Sequence, residues 1–205
     1  EGVDGKRCVY RYVPNVGGKV LPTGDLDMYA SVSVEALNAE WSSGLIGFGS
    51  APEGLENNEV VYELLADMGW QSEKLDLDQW LESYCKARYG YCDEKVMEAW
   101  RLLHGSVYSS LYSYPRFTWQ TVVPDQRRKS LHDIDDDFGR AVKCLLEAAD
   151  SCAESQLYVN DIVEFASLWL GELADRHYEK ALSLRGTADG AVELSAAIDL
   201  LTVAD

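Results

Sequence analysis

An α/β segment followed by an all-helical one is the fold class that this sequence predicts. Three observations carry it. Strand-like runs at residues 1–20 and 44–49 bracket an irregular helical pattern, apolar residues recur at helical spacing after Glu53, and that spacing resumes after a break at 112–131. Strand, helix, strand is the alternation of a parallel sheet, because parallel neighbours need a crossover.

In order along the chain, Val9, Tyr10, Tyr12 and Val13 read as a strand, ended by Pro14-Asn15 and Gly17-Gly18. Met28, Val32, Val34 and Leu37 suggest one indifferent helix from Asp27 to about Trp41. The glycine-spaced run 44–49 is the next strand. Val60, Val61, Leu64, Leu65 and Met68 then share a helical face, with Asn57 or Asn58 placed to cap its start and Gly69 to end it. A second helix follows from Leu77, Trp80, Leu81 and Tyr84, with Asp76 and Gln79 spaced as a capping box and Gly90 at its end. A third runs from Asp93 through Trp100 and Leu103 to Val107. Between Tyr112 and Leu131 two prolines, aromatics and arginines break the period, which predicts a long loop. Helices resume around Phe138 to Ala149 and Ile162 to Leu173, and a last one starts near Ala191. Trp70, Trp80, Trp100 and Trp169 fall on apolar stripes and are expected in the core.

The totals exclude several classes of function. Acidic residues outnumber basic ones 35 to 18, for a net charge of −17, and the basic residues form no long patch. Nucleic-acid binding rests on clustered Lys and Arg, so it is not expected. Nor does any run of eighteen apolar residues occur that would span a membrane. Cys8, Cys85, Cys92, Cys144 and Cys152 show no C-x-x-C pair, and the three histidines are scattered, so no metal or cofactor is expected. Buried thiols are the expected state, with Cys144 and Cys152 eight residues apart in one helix.

The chemistry concentrates at Glu53. The apolar run 44–49 ends in Ser50-Ala51-Pro52-Glu53-Gly54, a Pro/Gly-bounded turn that delivers a carboxylate at the C-terminal end of a strand. Barrel enzymes present catalytic groups at that end. On spacing alone a plainer account wins, since a negative charge before a helix gains about 0.3–1 kcal/mol from the helix dipole.

A longer string reverses that balance. Residues 47–65, Gly47-Phe48-Gly49-Ser50-Ala51-Pro52-Glu53-Gly54 and onward through Asn57, Asn58 and Tyr62 to Leu65, closing on Gly69-Trp70, resemble the segment that identifies the alpha-N-acetylglucosaminidases, glycoside hydrolase family 89. The likeness continues through Trp80-Leu81, Arg88-Tyr89-Gly90, Ala99 to Leu103 and Ser106-Val107-Tyr108. Upstream, Pro14 to Gly18 and Thr23 to Leu26 resemble the family's Asn-aromatic-Gly-Gly loop, with Val16 standing where the family has an aromatic.

The resemblance implies that 1–74 is the C-terminal part of a catalytic (β/α)8 barrel and 75–205 a truncated all-helical domain. A barrel needs about 250 residues, so we expect a fragment of a longer enzyme. It implies a retaining exo-glycosidase that removes terminal alpha-linked N-acetylglucosamine from glycans, with Glu53 as nucleophile and an acid/base glutamate upstream of residue 1. Asn15 and Val16 would line the sugar pocket, and Tyr112, Tyr114 and Arg116 would reach it from the long loop. Glu56 and Glu59, the rival carboxylates, are read as solvated or capping. Arg88 and Tyr89 are read as tying the helical domain to the barrel. Relatives of this kind imply a secreted, periplasmic or lysosomal location. The competing reading is a non-catalytic helical interaction or sugar-binding module in which Glu53 has only a local role.

Overall fold

The structure, a computed structural model, describes residues 6–14, 22–53, 58–110 and 136–205. The chain divides into two compact units, Glu1–Tyr84 with Val107–Tyr112, and Cys85–Ser106 with Ser113–Asp205. The long loop expected at 112–131 and the Gly17-Gly18 pair lie outside the described residues.

In the first unit, β1 (Cys8–Tyr12) and β3 (Leu45–Ser50) pair in parallel, Tyr10 opposite Phe48, Arg11 opposite Gly49 and Tyr12 opposite Ser50. Because side chains alternate along a strand, Tyr10 and Tyr12 share a face. Tyr10 meets Phe48 at 6.2 Å and Tyr12 meets Tyr29 edge-on at 6.3 Å. A buried strand was expected at 44–49. Instead β3 is only partly buried, with Ile46 62 % exposed, since β1 is its single partner strand among the described residues.

The single helix expected at 27–41 is two short ones, α1 (Leu26–Tyr29) and α2 (Val32–Asn38). Local side-chain bonds account for the break. Asp25 caps α1 by accepting from the Met28 N–H at 2.8 Å, and the Ser31 hydroxyl donates back to the Met28 carbonyl at 3.3 Å, competing with helix continuation. A further pair, β2 (Gly24–Asp25) against β4 (Ser109–Ser110), is antiparallel. Two-residue strands carry no periodicity to read.

Next, α3 (Glu59–Met68) buries the five apolar residues expected of it and closes with the Gly69 N–H on the Ala66 carbonyl at 3.2 Å. Trp70 is a correction: it is 90 % exposed, because the helix has ended before it and helical phase no longer applies. Trp80 is half-buried, its indole N–H donating to Asp67 at 2.7 Å. Asp76 caps α4 (Leu77–Tyr89) by accepting from the Gln79 N–H at 3.1 Å.

The second unit is helical. It comprises the end of α4, then α5 (Glu94–Gly105), α6 (Asp136–Glu147), α7 (Ala149–Cys152), α8 (Gln156–Ser183) and α9 (Ala188–Ala204). Cys144 therefore lies in α6 and Cys152 in α7, not in one helix. Trp100, 1 % exposed, meets Phe165 edge-on at 6.2 Å, and Phe138 meets both Phe165 and Trp169. Trp169 is half-buried with the Arg176 guanidinium over its ring at 5.3 Å. Of the four tryptophans expected in the core, Trp100 is the fully buried one. Gly139 in α6 is where the Trp169 indole comes so close that a Cβ would overlap it.

Arg88 and Tyr89 form the polar centre of this unit. The guanidinium makes two bonds of 2.7 Å to the Asp161 carboxylate, and the Tyr89 hydroxyl donates to the same group at 2.8 Å. These bonds run to α8. Ser155 both caps α8 and donates from its hydroxyl to the Arg88 carbonyl at 2.8 Å.

Candidate functional site

The exits of β1 and β3 lie side by side at one end of the parallel pair. Tyr12 is in register with Ser50, and the Ala51 N–H reaches the Tyr12 carbonyl at 2.8 Å, carrying the pairing one residue past the strand. Pro52 then ends the ladder, having no N–H to donate. Glu53 follows in a bend, exposed, three residues beyond the end of β3. Asn15 stands at the same offset beyond β1 in the sequence, but Asn15 and Val16 lie outside the described residues, as do Gly54 and Glu56.

The chain beyond the turn is anchored again at Asn58. Expected to cap α3, Asn58 makes no side-chain cap bond there; its amide is buried and donates to the Thr23 carbonyl at 2.5 Å. Thr23 itself is 1 % exposed. Glu53 is thus flanked in the sequence by the Ala51 bond to β1 and by the buried Asn58 amide. Sequence reasoning missed this role, although Asn58 belongs to the very string a helix start does not require. Glu59 stands in the first turn of α3.

Tyr12 and Tyr29, both buried, meet edge-on at the end of β1. Burial pushes both phenols up, and Tyr29 reaches about 12 with the negative charge of Asp25 adding to the effect. Both phenols are therefore protonated at physiological pH.

A groove of about 830 Å³ runs along β3 to Ser50, walled by Leu45, Phe48, Tyr62, Leu65 and Trp70. Among the described residues its lining contains no carboxylate and does not include Glu53. Tyr112, Tyr114 and Arg116 lie outside the described residues. Among the described residues no group of His, Cys, Asp and Glu could hold a metal ion, and no helix is long and apolar enough to cross a membrane. What the arrangement supplies is one solvent-facing carboxylate at the C-terminal end of a parallel strand.

Two family models match the chain: the alpha-N-acetylglucosaminidase tim-barrel domain over residues 1–72, and the alpha-N-acetylglucosaminidase C-terminal domain over residues 80–202. Human alpha-N-acetylglucosaminidase is 33 % identical over 187 residues, which are 87 % of this chain and 25 % of the human protein. Among solved structures, a family 89 glycoside hydrolase from Clostridium perfringens in complex with PUGNAc matches 98 % of this chain and 24 % of its own, with a TM-score of 0.85 at 22 % identity. A Clostridium perfringens protein carrying two glutamate-to-glutamine substitutions, in complex with its substrate GlcNAc-alpha-1,4-galactose, matches 95 % of this chain and 23 % of its own, with a TM-score of 0.81 at 20 % identity. The chain thus spans about a quarter of the length of these relatives.

Proposed function

This chain belongs to the alpha-N-acetylglucosaminidase family, and on that premise we propose that it forms part of a retaining exo-glycosidase that removes terminal alpha-linked N-acetylglucosamine from glycans. Residues 1–74 would close the catalytic barrel and 75–205 would begin the helical domain. The observation that carries the reading is the place of Glu53, exposed just past the C-terminal end of a strand in a parallel pair.

In this mechanism the Glu53 carboxylate attacks the anomeric carbon while a carboxylic acid on the other side of the bond protonates the departing oxygen. The bond to the aglycone breaks and a glycosyl ester of Glu53 forms. The second carboxylate, now a base, takes a proton from water, which attacks the anomeric carbon and releases Glu53. That partner must stand about 5 to 5.5 Å from Glu53, and we assign it to the family's acid/base glutamate, outside residues 1–205. Asn15 and Val16 would line the sugar pocket, and Tyr112, Tyr114 and Arg116 would bond or stack on the glycan. The chemistry requires no metal or organic cofactor. Action on glycan ends fits a secreted, periplasmic or lysosomal protein.

The test is Glu53→Ala in the full-length enzyme. Its turnover of an alpha-linked chromogenic N-acetylglucosaminide should fall by about 10³-fold or more, as when other covalent nucleophiles are removed, with the unfolding midpoint unchanged. Azide should partly restore turnover by occupying the vacated space as an external nucleophile, yielding a glycosyl azide of inverted configuration. Wild-type rates would return Glu53 to a local role at the start of α3.

A further inference from the structure

Two segments leave the C-terminal ends of the parallel pair. One carries Asn15 and runs from β1 to Thr23, and the other carries Glu53 and runs from β3 to Asn58. At their near ends the Ala51 N–H donates to the Tyr12 carbonyl at 2.8 Å, and at their far ends the Asn58 amide donates to the Thr23 carbonyl at 2.5 Å. The first bond is main chain to main chain, available to any residue but proline. The second depends on one side chain.

Asn58 has two plainer roles open to it. Helix capping is the first, but the side chain makes no cap bond, and only the backbone carbonyl starts α3, accepting from the N–H groups of Val61 at 3.0 Å and Tyr62 at 3.1 Å. Stability is the second, since Asn58 and Thr23 are both more than nine-tenths buried. Against it stands the other half of the amide. Thr23 offers a carbonyl, so Nδ2 must face it, and Oδ1 is left buried with no hydrogen bond among the described residues. A buried acceptor without a partner destabilises the fold, and such a group calls for a functional account.

We propose that Asn58 is a positioning residue for the reaction: by fastening the start of α3 to Thr23 it fixes where Glu53 stands relative to the segment that carries Asn15, and so aims the carboxylate at the anomeric carbon. The proposal rests on the reading of Glu53 as nucleophile. Asn58 is buried and does not touch the sugar; it acts through Glu53, five residues before it in the chain. A displacement of about 1 Å at a reacting group is enough to slow a reaction about 10²-fold, so a single hydrogen bond at the far end of the segment has leverage on the rate.

The test uses the full-length enzyme. Asn58→Asp keeps the size of the side chain, but its ionised carboxylate cannot donate to Thr23. The kcat on an alpha-linked chromogenic N-acetylglucosaminide should fall about 10- to 100-fold with KM changed less than about twofold, since the nucleophile is misplaced while the sugar contacts stay. Activity relative to wild type should recover as pH falls, because burial raises the introduced carboxyl and its protonated form donates to the Thr23 carbonyl again. A double-variant cycle separates aim from general damage. In Glu53→Ala rescued by azide there is no nucleophile to aim, so adding Asn58→Asp should change the azide rate by less than about threefold; the full loss recurring there would overturn the proposal. Wild-type kcat in Asn58→Asp beside an inactive Glu53→Ala would overturn it and leave the nucleophile reading standing, whereas wild-type turnover in Glu53→Ala would overturn both. Should Asn58→Asp fail to fold, Asn58→Ala, which removes the donor without burying a charge, is read by the same rates, and failure of both to fold would show a structural role and overturn the proposal.

Discussion

Two buried contacts in the helical unit make the sharpest statements about single residues. Asp161 receives two bonds from Arg88 and one from Tyr89, so Asp161→Ala strands a guanidinium at a site whose side chain is 7 % exposed. Removing one partner of a buried pair costs about 3–5 kcal/mol, and urea unfolding should show a loss of that order; a change below about 1 kcal/mol would mean that the pair contributes little. Gly139→Ala is smaller in chemistry but collides with the Trp169 indole. Overpacking costs about 1–3 kcal/mol, against the modest gain Ala brings to a helix, so the midpoint should drop. The Gly139 contact was not legible in the sequence, where a glycine inside a helical run looks like a mere weakness. Asp161 was no more legible, because its partners lie 72 and 73 residues away and no local pattern links them.

Element by element, the sequence was readable where a helix kept its period for several turns. The buried set of α3, the Asp76 cap of α4 and the start of α5 at Asp93 stand where spacing put them. Short elements escaped: α7 has four residues, β2 and β4 two each, and Ser31 breaks one expected helix by bonding its own backbone. At the candidate site, the strand and its exit at Glu53 were legible, whereas the Asn58 to Thr23 anchor was not, because it joins residues 35 apart. One element carries a pH prediction. Glu193 on α9 binds Lys180 and His177 of α8, the latter at 2.6 Å, and these two, Lys180 first, hold its carboxyl below the usual range. A depressed folded value means that the contribution of this group is present above its ordinary value of 4.5 and is lost as pH falls through the lower folded one. Amide exchange in α9 should therefore speed up, relative to α5, as pH drops below that range, after correction for the intrinsic rate. Glu193→Gln should remove this pH dependence, and an unchanged profile in that variant would mean that other groups set α9 docking.

For the chain as a whole, the question is what its 205 residues can do unaided, given that they span about a quarter of the length of their relatives. The Ala51 and Asn58 bonds that flank Glu53 in the sequence both lie within the first unit, so Glu53 can be in place without the chemistry following. Retaining hydrolysis needs a proton for the leaving oxygen, which an ionised nucleophilic carboxylate does not itself supply. It also needs a site that excludes bulk water, whereas Glu53 is exposed and β3 presents one edge with no partner strand among the described residues. Such an edge favours association between chains over catalysis. The purified chain should accordingly release no N-acetylglucosamine from an alpha-linked chromogenic substrate above the buffer rate, and light scattering should show association that Ile46→Lys, a charge at the exposed edge, reduces. Measurable hydrolysis by the wild-type chain, abolished by Glu53→Ala, would place the acid/base residue within 1–205 and overturn its assignment to a segment beyond them.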